Sequence, residues 1–210
     1  MIYKITSIKD KFVDKIRKNS MKELNKFYGI GWTNNIPNII VIKNRKDIDL
    51  LRNIKTERWV IAWADGRTVF ILDRNNFEKE SSHKYKVDSY SATIKHELSH
   101  CFYSILSERK HNPIWFTEGV AIYTSGQLKF KKKPTKFSNF LSFYKHGGGG
   151  VYAESGFFVE LLVKKYGKKK LLNLIEESGY SRSEKDFKKI FKRKYGFDLS
   201  YKEINKRFIL

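Results

Sequence analysis

The spacing of apolar and polar residues predicts a first half with short strands and a second half made of helices. In the first half, an apolar spacing typical of helices covers residues 8–28, although broken, and 45–54. Short apolar runs typical of strands cover residues 38–42, 57–64 and 67–72. The last two runs are joined by Asp65-Gly66, a pair that favours a tight β-hairpin turn.

The second half begins after a polar stretch, residues 73–89, which predicts a loop. Helical spacing then predicts helices over about 90–108, 113–125, 136–145, 152–166, 168–178 and 183–195, with a weak final turn near 200–207. Four consecutive glycines, Gly147–Gly150, are the most flexible point of the sequence. Because strands come first and helices follow, we expect an α+β fold.

Length and composition indicate a single domain over residues 1–210, with a sheet and a helix at about 30–110 and a helical half at about 111–210. Its one cysteine excludes a disulfide framework and a multi-cysteine zinc site. No apolar run approaches the roughly 20 residues that a membrane-spanning helix needs. The Lys-rich segment Met1–Asn19 has no apolar core of a secretory signal, so the sequence predicts a cytoplasmic protein.

The chain carries a formal charge of +21, from 43 Lys and Arg against 22 Asp and Glu. Lysine greatly outnumbers arginine, although arginine is the usual bidentate partner of phosphate and guanine. The charge therefore leaves two interpretations open. One is a diffuse, compositional surface charge, and the other is a basic face that binds nucleic acid. The densest cluster, where a polyanion would bind, comprises Lys129, Lys131, Lys132, Lys133 and Lys136.

The motif with the clearest chemistry is HExxH, at His96-Glu97-Leu98-Ser99-His100. On a helix, residues four apart lie on one face, so both imidazoles can bind one metal ion. Glu97 lies beside them and can act as general base toward a water whose pKa zinc lowers to about 7. An apolar stripe that includes Cys101 and Ile105 predicts that this helix packs into the core, with Cys101 a core residue rather than a nucleophile.

A catalytic zinc site needs a third protein ligand. The metzincin pattern is excluded, because Leu106 stands where its third histidine would be. Two candidates remain, His111 and Glu118. Glu118 is the stronger, because Trp115 and Ile122 surround it at helical spacing, and a carboxylate in apolar surroundings is costly unless it is paired or bound to a metal.

The HExxH motif followed by Trp115-Phe-Thr-Glu-Gly-Val-Ala-Ile-Tyr123 resembles the gluzincin metallopeptidases, in particular peptidase MA-like domains and the aminopeptidase N-like branch. The resemblance extends over roughly residues 60–200 and includes the helix at 151–167. It implies a zincin-like fold with one Zn²⁺ per chain, bound by His96, His100 and Glu118, and with Glu97 as general base.

The same resemblance implies further roles. Tyr152 would hydrogen-bond the oxyanion of the tetrahedral intermediate, unless it is simply an aromatic residue at a helix start. Residues 68–73 would be the edge strand over the cleft, to which an extended peptide adds. Gly147–Gly150 would be a hinge beside the cleft or a plain linker.

The sequence departs from the family in two places. Ala121 and Ile122 stand where many gluzincins have an acidic residue that orients a histidine ligand. A Gly-x-Met-Glu-Asn motif, with which aminopeptidases hold a free amino terminus, is absent from the sequence. Endopeptidase action is therefore favoured over exopeptidase action.

The sequence thus predicts a zinc-dependent metallopeptidase that hydrolyses peptide or protein substrates. Two alternatives stay open. One is a basic, nucleic-acid-associated protein with a structural zinc site, and the other is a protease that acts on nucleic-acid-bound proteins. No helix-turn-helix or zinc-finger signature supports sequence-specific nucleic-acid binding.

Overall fold

The computed structural model describes residues 6–208, and in that range the chain forms nine α-helices and a three-stranded sheet. The helices are α1 (Lys11–Tyr28), α2 (Arg45–Arg52), α3 (Phe77–Glu80), α4 (Val87–Leu106), α5 (Ile114–Ser125), α6 (Gly149–Tyr166), α7 (Lys168–Ser178), α8 (Glu184–Tyr195) and α9 (Tyr201–Arg207). The strands are β1 (Asn38–Ile42), β2 (Ala62–Asp65) and β3 (Thr68–Leu72). The expected α+β class is confirmed, with a small mixed sheet and a mostly helical remainder.

The sheet has the order β1-β3-β2, with β1 parallel and β2 antiparallel to β3. The predicted hairpin at Asp65-Gly66 is confirmed. The expectation that residues 68–73 form the edge strand is wrong, because β1 pairs with β3 and places it in the centre. This order suits the side chains, since Val69, Ile71 and Leu72 of β3 are fully buried, whereas β2 is only half-buried.

The strand predicted from residue 57 begins only at Ala62. The reason is Arg45, whose guanidinium donates hydrogen bonds to the backbone carbonyls of Glu57, Arg58 and Val60, at 3.3, 3.1 and 2.6 Å. Residues 57–60 form a turn around this side chain, with the Val60 amide donating to the Glu57 carbonyl. An arginine 12 residues earlier in the chain thus decides where the strand starts.

Helix α4, the longest at 20 residues, runs through the middle of the fold and packs against α1, α5, α7 and the sheet. Ile94, Leu98 and Phe102 are fully buried, and Cys101 is a core residue as expected. Ile105 does not continue the predicted stripe, because it is 46% exposed near the helix end. In the part of the chain that the structure describes, neither α4 nor any other helix is both long and apolar enough to cross a membrane.

The helix predicted over residues 136–145 is wrong, and only a short 3₁₀ turn at Phe140–Ser142 forms there. Tertiary contacts bind the backbone groups that a helix would use. The buried carboxylate of Glu154 accepts hydrogen bonds from the amides of Ser138 and Asn139, both at 3.0 Å. The amide of Leu141 donates to the Tyr201 hydroxyl at 2.7 Å. The apolar residues that suggested a helix are buried instead as parts of an irregular segment.

Helices α5 and α6 approach each other closely because each carries a glycine at their contact. A Cβ atom on Gly119 would lie 2.8 Å from the backbone oxygen of Ser155, and one on Gly156 would lie 2.4 Å from the Ile122 side chain. The first contact is with backbone and cannot relax by a rotamer change. Gly119 directly follows Glu118, so this close packing also fixes where that carboxylate lies.

Two of the four consecutive glycines, Gly149 and Gly150, belong to the first turn of α6. A Cβ on Gly148 would lie 2.5 Å from the Phe143 ring, and one on Gly150 would lie 2.2 Å from the Asn139 amide. Close packing is thus a sufficient reason for glycine at these two positions.

We expect Gly119→Ala to destabilise the protein by about 1–3 kcal/mol, because the added methyl group forces the α5 and α6 backbones apart. Urea unfolding followed by circular dichroism measures the change. Gly147→Ala is the matched control, since its Cβ would meet only the Ile114 side chain at an ordinary 3.8 Å. Equal stability of the Gly119→Ala variant and the wild type would contradict the close packing.

Candidate metal centre

Three side chains from two helices converge at the contact between α4 and α5. The first two, His96 and His100, project from α4 with their Nε2 atoms 3.0 Å apart. Glu118 reaches them from α5, with Oε2 3.2 Å from His96 Nε2 and Oε1 3.6 Å from His100 Nε2. The structure therefore brings together the three residues predicted as metal ligands.

The distances among these atoms suit a metal ion. Tetrahedral zinc with bonds of about 2.0–2.2 Å separates its ligand atoms by about 3.3–3.6 Å. Within the described residues, this is the one group of three or more His, Cys, Asp or Glu side chains that could hold a metal ion. The buried Glu118 Oε2 has no aligned hydrogen-bond partner there, as expected for an atom whose partner is a cation.

The charges of the three side chains also favour a cation. Burial lowers the pKa of His100 to about 4, so its imidazole is neutral and its lone pair is available. Burial opposes the charge of His96 as well, but the adjacent Glu118 and Glu97 carboxylates raise its pKa overall. Burial would raise the pKa of Glu118, yet the two histidines lower it. Metal binding requires both imidazoles to be neutral, so a bound cation would compete with protons for this site.

Glu97 lies beside the three ligands without joining them. Burial raises the pKa of its carboxyl to about 7, with His96 opposing the shift and the Glu118 charge adding to it. The backbone N–H of Ala64 on β2 also faces this carboxylate and favours its charged form. A carboxyl with a pKa near neutrality suits proton transfer at physiological pH.

A buried hydroxyl network fixes α4 against α5 on the side away from the ligands. The Tyr28 hydroxyl lies 2.7 Å from Ser99 Oγ, which in turn lies 2.8 Å from Thr124 Oγ1. Thr124 also donates to the Val120 carbonyl on its own helix, at 2.8 Å. Because Ser99 lies between the two histidines in sequence and Thr124 is on the Glu118 helix, the network holds both ligand-bearing helices in register.

The three ligands line a cleft of about 780 Å³. Its lining includes residues 59–64, which lead into and form most of β2, and also Gln127, Phe130, Lys131 and Tyr152. Tyr152 is half-buried, and burial together with the Glu118 and Glu97 charges raises the pKa of its phenol. The phenol therefore stays protonated and can donate a hydrogen bond into the cleft.

The outer edge of β2 faces this cleft. The amide of Leu72 donates to the Ile61 carbonyl at 2.8 Å, and the strand register then directs the main-chain groups of Trp63 toward β3. Those of Ala62 and Ala64 therefore point away from the sheet. Within the described residues, β2 pairs with β3 only, and the Ala64 N–H faces the Glu97 carboxylate. The Ala62 main-chain groups and the Ala64 carbonyl can therefore accept another strand.

His111, the other candidate for the third ligand, lines the cleft but is not part of the ligand group. Its Nε2 lies 3.4 Å from Ser104 Oγ on α4, and its ring stacks on Tyr103. Burial lowers its pKa, with Glu118 opposing the shift. Glu118, rather than His111, completes the set.

Two features of the cleft were missed by sequence reasoning. Gln127 lies against His96 and raises its pKa. The sequence had indicated no residue that would contact a histidine ligand in this way. The Lys129–Lys136 run does not form one face, because Lys131 is half-buried in the cleft and Lys129 pairs with Asp88 at 3.4 Å. Only Lys132, Lys133 and Lys136 of the basic run remain exposed without an ion pair in the described structure. No sequence pattern separates Lys131 from its neighbours.

In comparisons with known proteins, no family model, no curated protein and no solved structure matches this chain. The functional argument therefore depends on the residues and the geometry of this site.

We expect the purified wild type to bind about one zinc per chain, measured by elemental analysis, and Glu118→Ala to lose most of it. Zinc added to chelator-treated wild type should raise the melting temperature, by the equivalent of about 2.7 kcal/mol at a hundredfold excess over the dissociation constant. Glu176→Ala, an exposed glutamate on α7, is the matched control and should keep its zinc. Equal zinc content in wild type and Glu118→Ala would exclude this ligand set.

Proposed function

We propose that this protein is a zinc-dependent metallopeptidase of the gluzincin type, with a zincin-like fold and endopeptidase action. The observation that supports it best is the convergence of His96, His100 and Glu118 next to the independent carboxylate of Glu97. Two histidines and a glutamate form a known type of catalytic zinc site, which leaves a position open for substrate or water. A structural zinc site would have four protein ligands, and it would not need a further carboxylate, such as that of Glu97, beside them.

Zinc, when bound there, supplies Lewis-acid chemistry, because it polarises a carbonyl and lowers the pKa of water. Glu97 then acts as general base and takes a proton from the attacking water. The same carboxyl delivers that proton to the leaving amine, so one side chain serves in both directions of proton transfer. Burial keeps the carboxylate dry, which strengthens its interaction with the reacting groups.

Two elements of the cleft wall provide for the substrate. The Ala64 N–H already faces Glu97, but the Ala62 main-chain groups and the Ala64 carbonyl on β2 can pair with an extended peptide. That pairing would place the scissile bond near the ligands. Tyr152, which also lines the cleft, can donate its phenolic proton in a hydrogen bond to the oxyanion that forms. The edge strand is thus β2 and not the segment 68–73 that the sequence suggested.

We expect Glu97→Gln to lower peptide turnover by about 10²–10⁴-fold while zinc content stays unchanged. The amide keeps the shape of the side chain but cannot take a proton. Cleavage of a mixed peptide library, followed by mass spectrometry, measures turnover, and elemental analysis measures the metal. Unchanged peptide turnover in the zinc-loaded variant would contradict the proposal.

Tyr152→Phe should lower kcat by about 10²-fold and leave KM nearly unchanged, because the phenol acts on the transition state. Tyr166→Phe is the matched control on the same helix, since Tyr166 lies away from the cleft and its ring contacts Tyr195. Steady-state kinetics on one peptide from the library measures both parameters. An effect confined to KM would instead assign Tyr152 to substrate binding.

A further inference from the structure

Lys131 occupies an unusual place for a lysine. It follows the 3₁₀ turn Gln127–Phe130, lines the cleft, and its Nζ lies 6.0 Å from the centre of the Tyr152 ring on the wall of the metal centre. Its neighbours Lys132 and Lys133 are exposed, whereas Lys131 is half-buried. Its backbone N–H donates to the Leu128 carbonyl at 3.1 Å, but within residues 6–208 its ammonium group forms neither a hydrogen bond nor an ion pair closer than 4.0 Å.

The charge of Lys131 has one nearby counterpart, and that counterpart is a metal ligand. Burial lowers the pKa of Lys131, and only the Glu118 carboxylate opposes the shift. A carboxylate that binds a cation no longer balances a second positive charge. The ammonium group would then face the cleft without a protein partner, in surroundings drier than bulk water, where an anion is bound more strongly.

The other charged residues of the cleft wall have the same sign. Arg52 and Lys84 line it together with Lys131, whereas its only acidic residues in the described range are Glu97 and Glu118 of the metal centre. Lys84 has a weak ion pair with Glu78 at 3.9 Å, and Arg52 lies over the Trp63 ring. Apart from the metal centre, the cleft therefore complements a negatively charged molecule.

The edge of β2 indicates the class of that molecule. Its outward backbone groups alternate donors and acceptors along an extended line, which matches a peptide main chain and not a sugar-phosphate backbone. On a peptide, the anionic group that remains available is a carboxylate, either of Asp or Glu or of a free carboxyl terminus.

We propose that Lys131 is a specificity-determining residue that binds a substrate carboxylate near the scissile bond, and that the protein therefore prefers peptides that carry a carboxylate there. The proposal depends on the peptidase function above. It assigns a role in substrate choice to Lys131 alone, and not to the exposed lysines Lys132, Lys133 and Lys136.

The first experiment compares cleavage of two short peptide libraries that differ only in one fixed position, Glu in one and Gln in the other. Each library is made with a free and with an amidated carboxyl terminus. Wild type should cleave the Glu library faster if the carboxylate comes from a side chain, and the free-terminus libraries faster if it comes from the chain end. Either preference supports the proposal, and no preference for either carboxylate overturns it.

Lys131→Met should abolish the preference through a loss of about 10- to 100-fold in kcat/KM for the carboxylate-bearing library, with little effect on the neutral one. Lys131→Arg keeps the charge and should retain most of the preference. Lys132→Met, the exposed neighbour, is the matched control and should behave as wild type. A preference that survives Lys131→Met would overturn the assignment.

The second experiment measures binding without turnover, which separates this inference from the proposed function. Zinc-loaded Glu97→Gln is titrated with fluorescent Glu and Gln peptides of either terminus, and anisotropy is recorded with and without the added Lys131→Met change. Tighter binding of a carboxylate-bearing peptide, lost with Lys131→Met, supports the inference even if wild type cleaves nothing and the peptidase function fails. Equal binding of all the peptides contradicts it even if wild type is an active peptidase.

Discussion

The contact between α4 and α5 is the constraint on which the rest of the structure depends, because two histidines and a glutamate must meet there in a largely apolar interior. The close approach of α5 and α6 at Gly119 fixes where the Glu118 carboxylate lies. The hydroxyl network through Ser99 sets the register of the two ligand-bearing helices. The α5–α6 contact and the hydroxyl network both fix backbone positions. A small displacement of either would therefore separate the ligand atoms by more than metal binding tolerates.

The same arrangement explains the unusual acidities of the site. Glu97, Glu118 and two imidazoles are buried next to one another, so the charge of each group shifts the pKa of the others. Burial alone would neutralise every one of these groups, and the mutual contacts decide which stay charged. A metal ion bound by Glu118 would compensate the negative charge of that carboxylate, which is the nearest counterpart of both His96 and Lys131.

The HExxH motif predicted the ligand pair from its spacing alone, because a helix places residues four apart on one face wherever that helix lies. Glu118 was predictable for a related reason, since its apolar neighbours within α5 made an unpaired carboxylate costly. The fold class followed from the order of strand-like and helical segments. The structure brings the three side chains together and confirms the α+β class, because each inference depends on contacts within one element or on its solvation.

The sequence by itself therefore determined the α+β class and the three side chains that could hold a metal ion, since local periodicity and burial cost decide them. The tertiary structure decided which strand lines the cleft, because β1 can pair with either strand of the hairpin. It also decided that residues 136–145 stay irregular, through the distant side chains of Glu154 and Tyr201, and that Lys131 lies inside the cleft. Each of these outcomes is set by a partner far away in the chain, and local pattern carries no information about such partners.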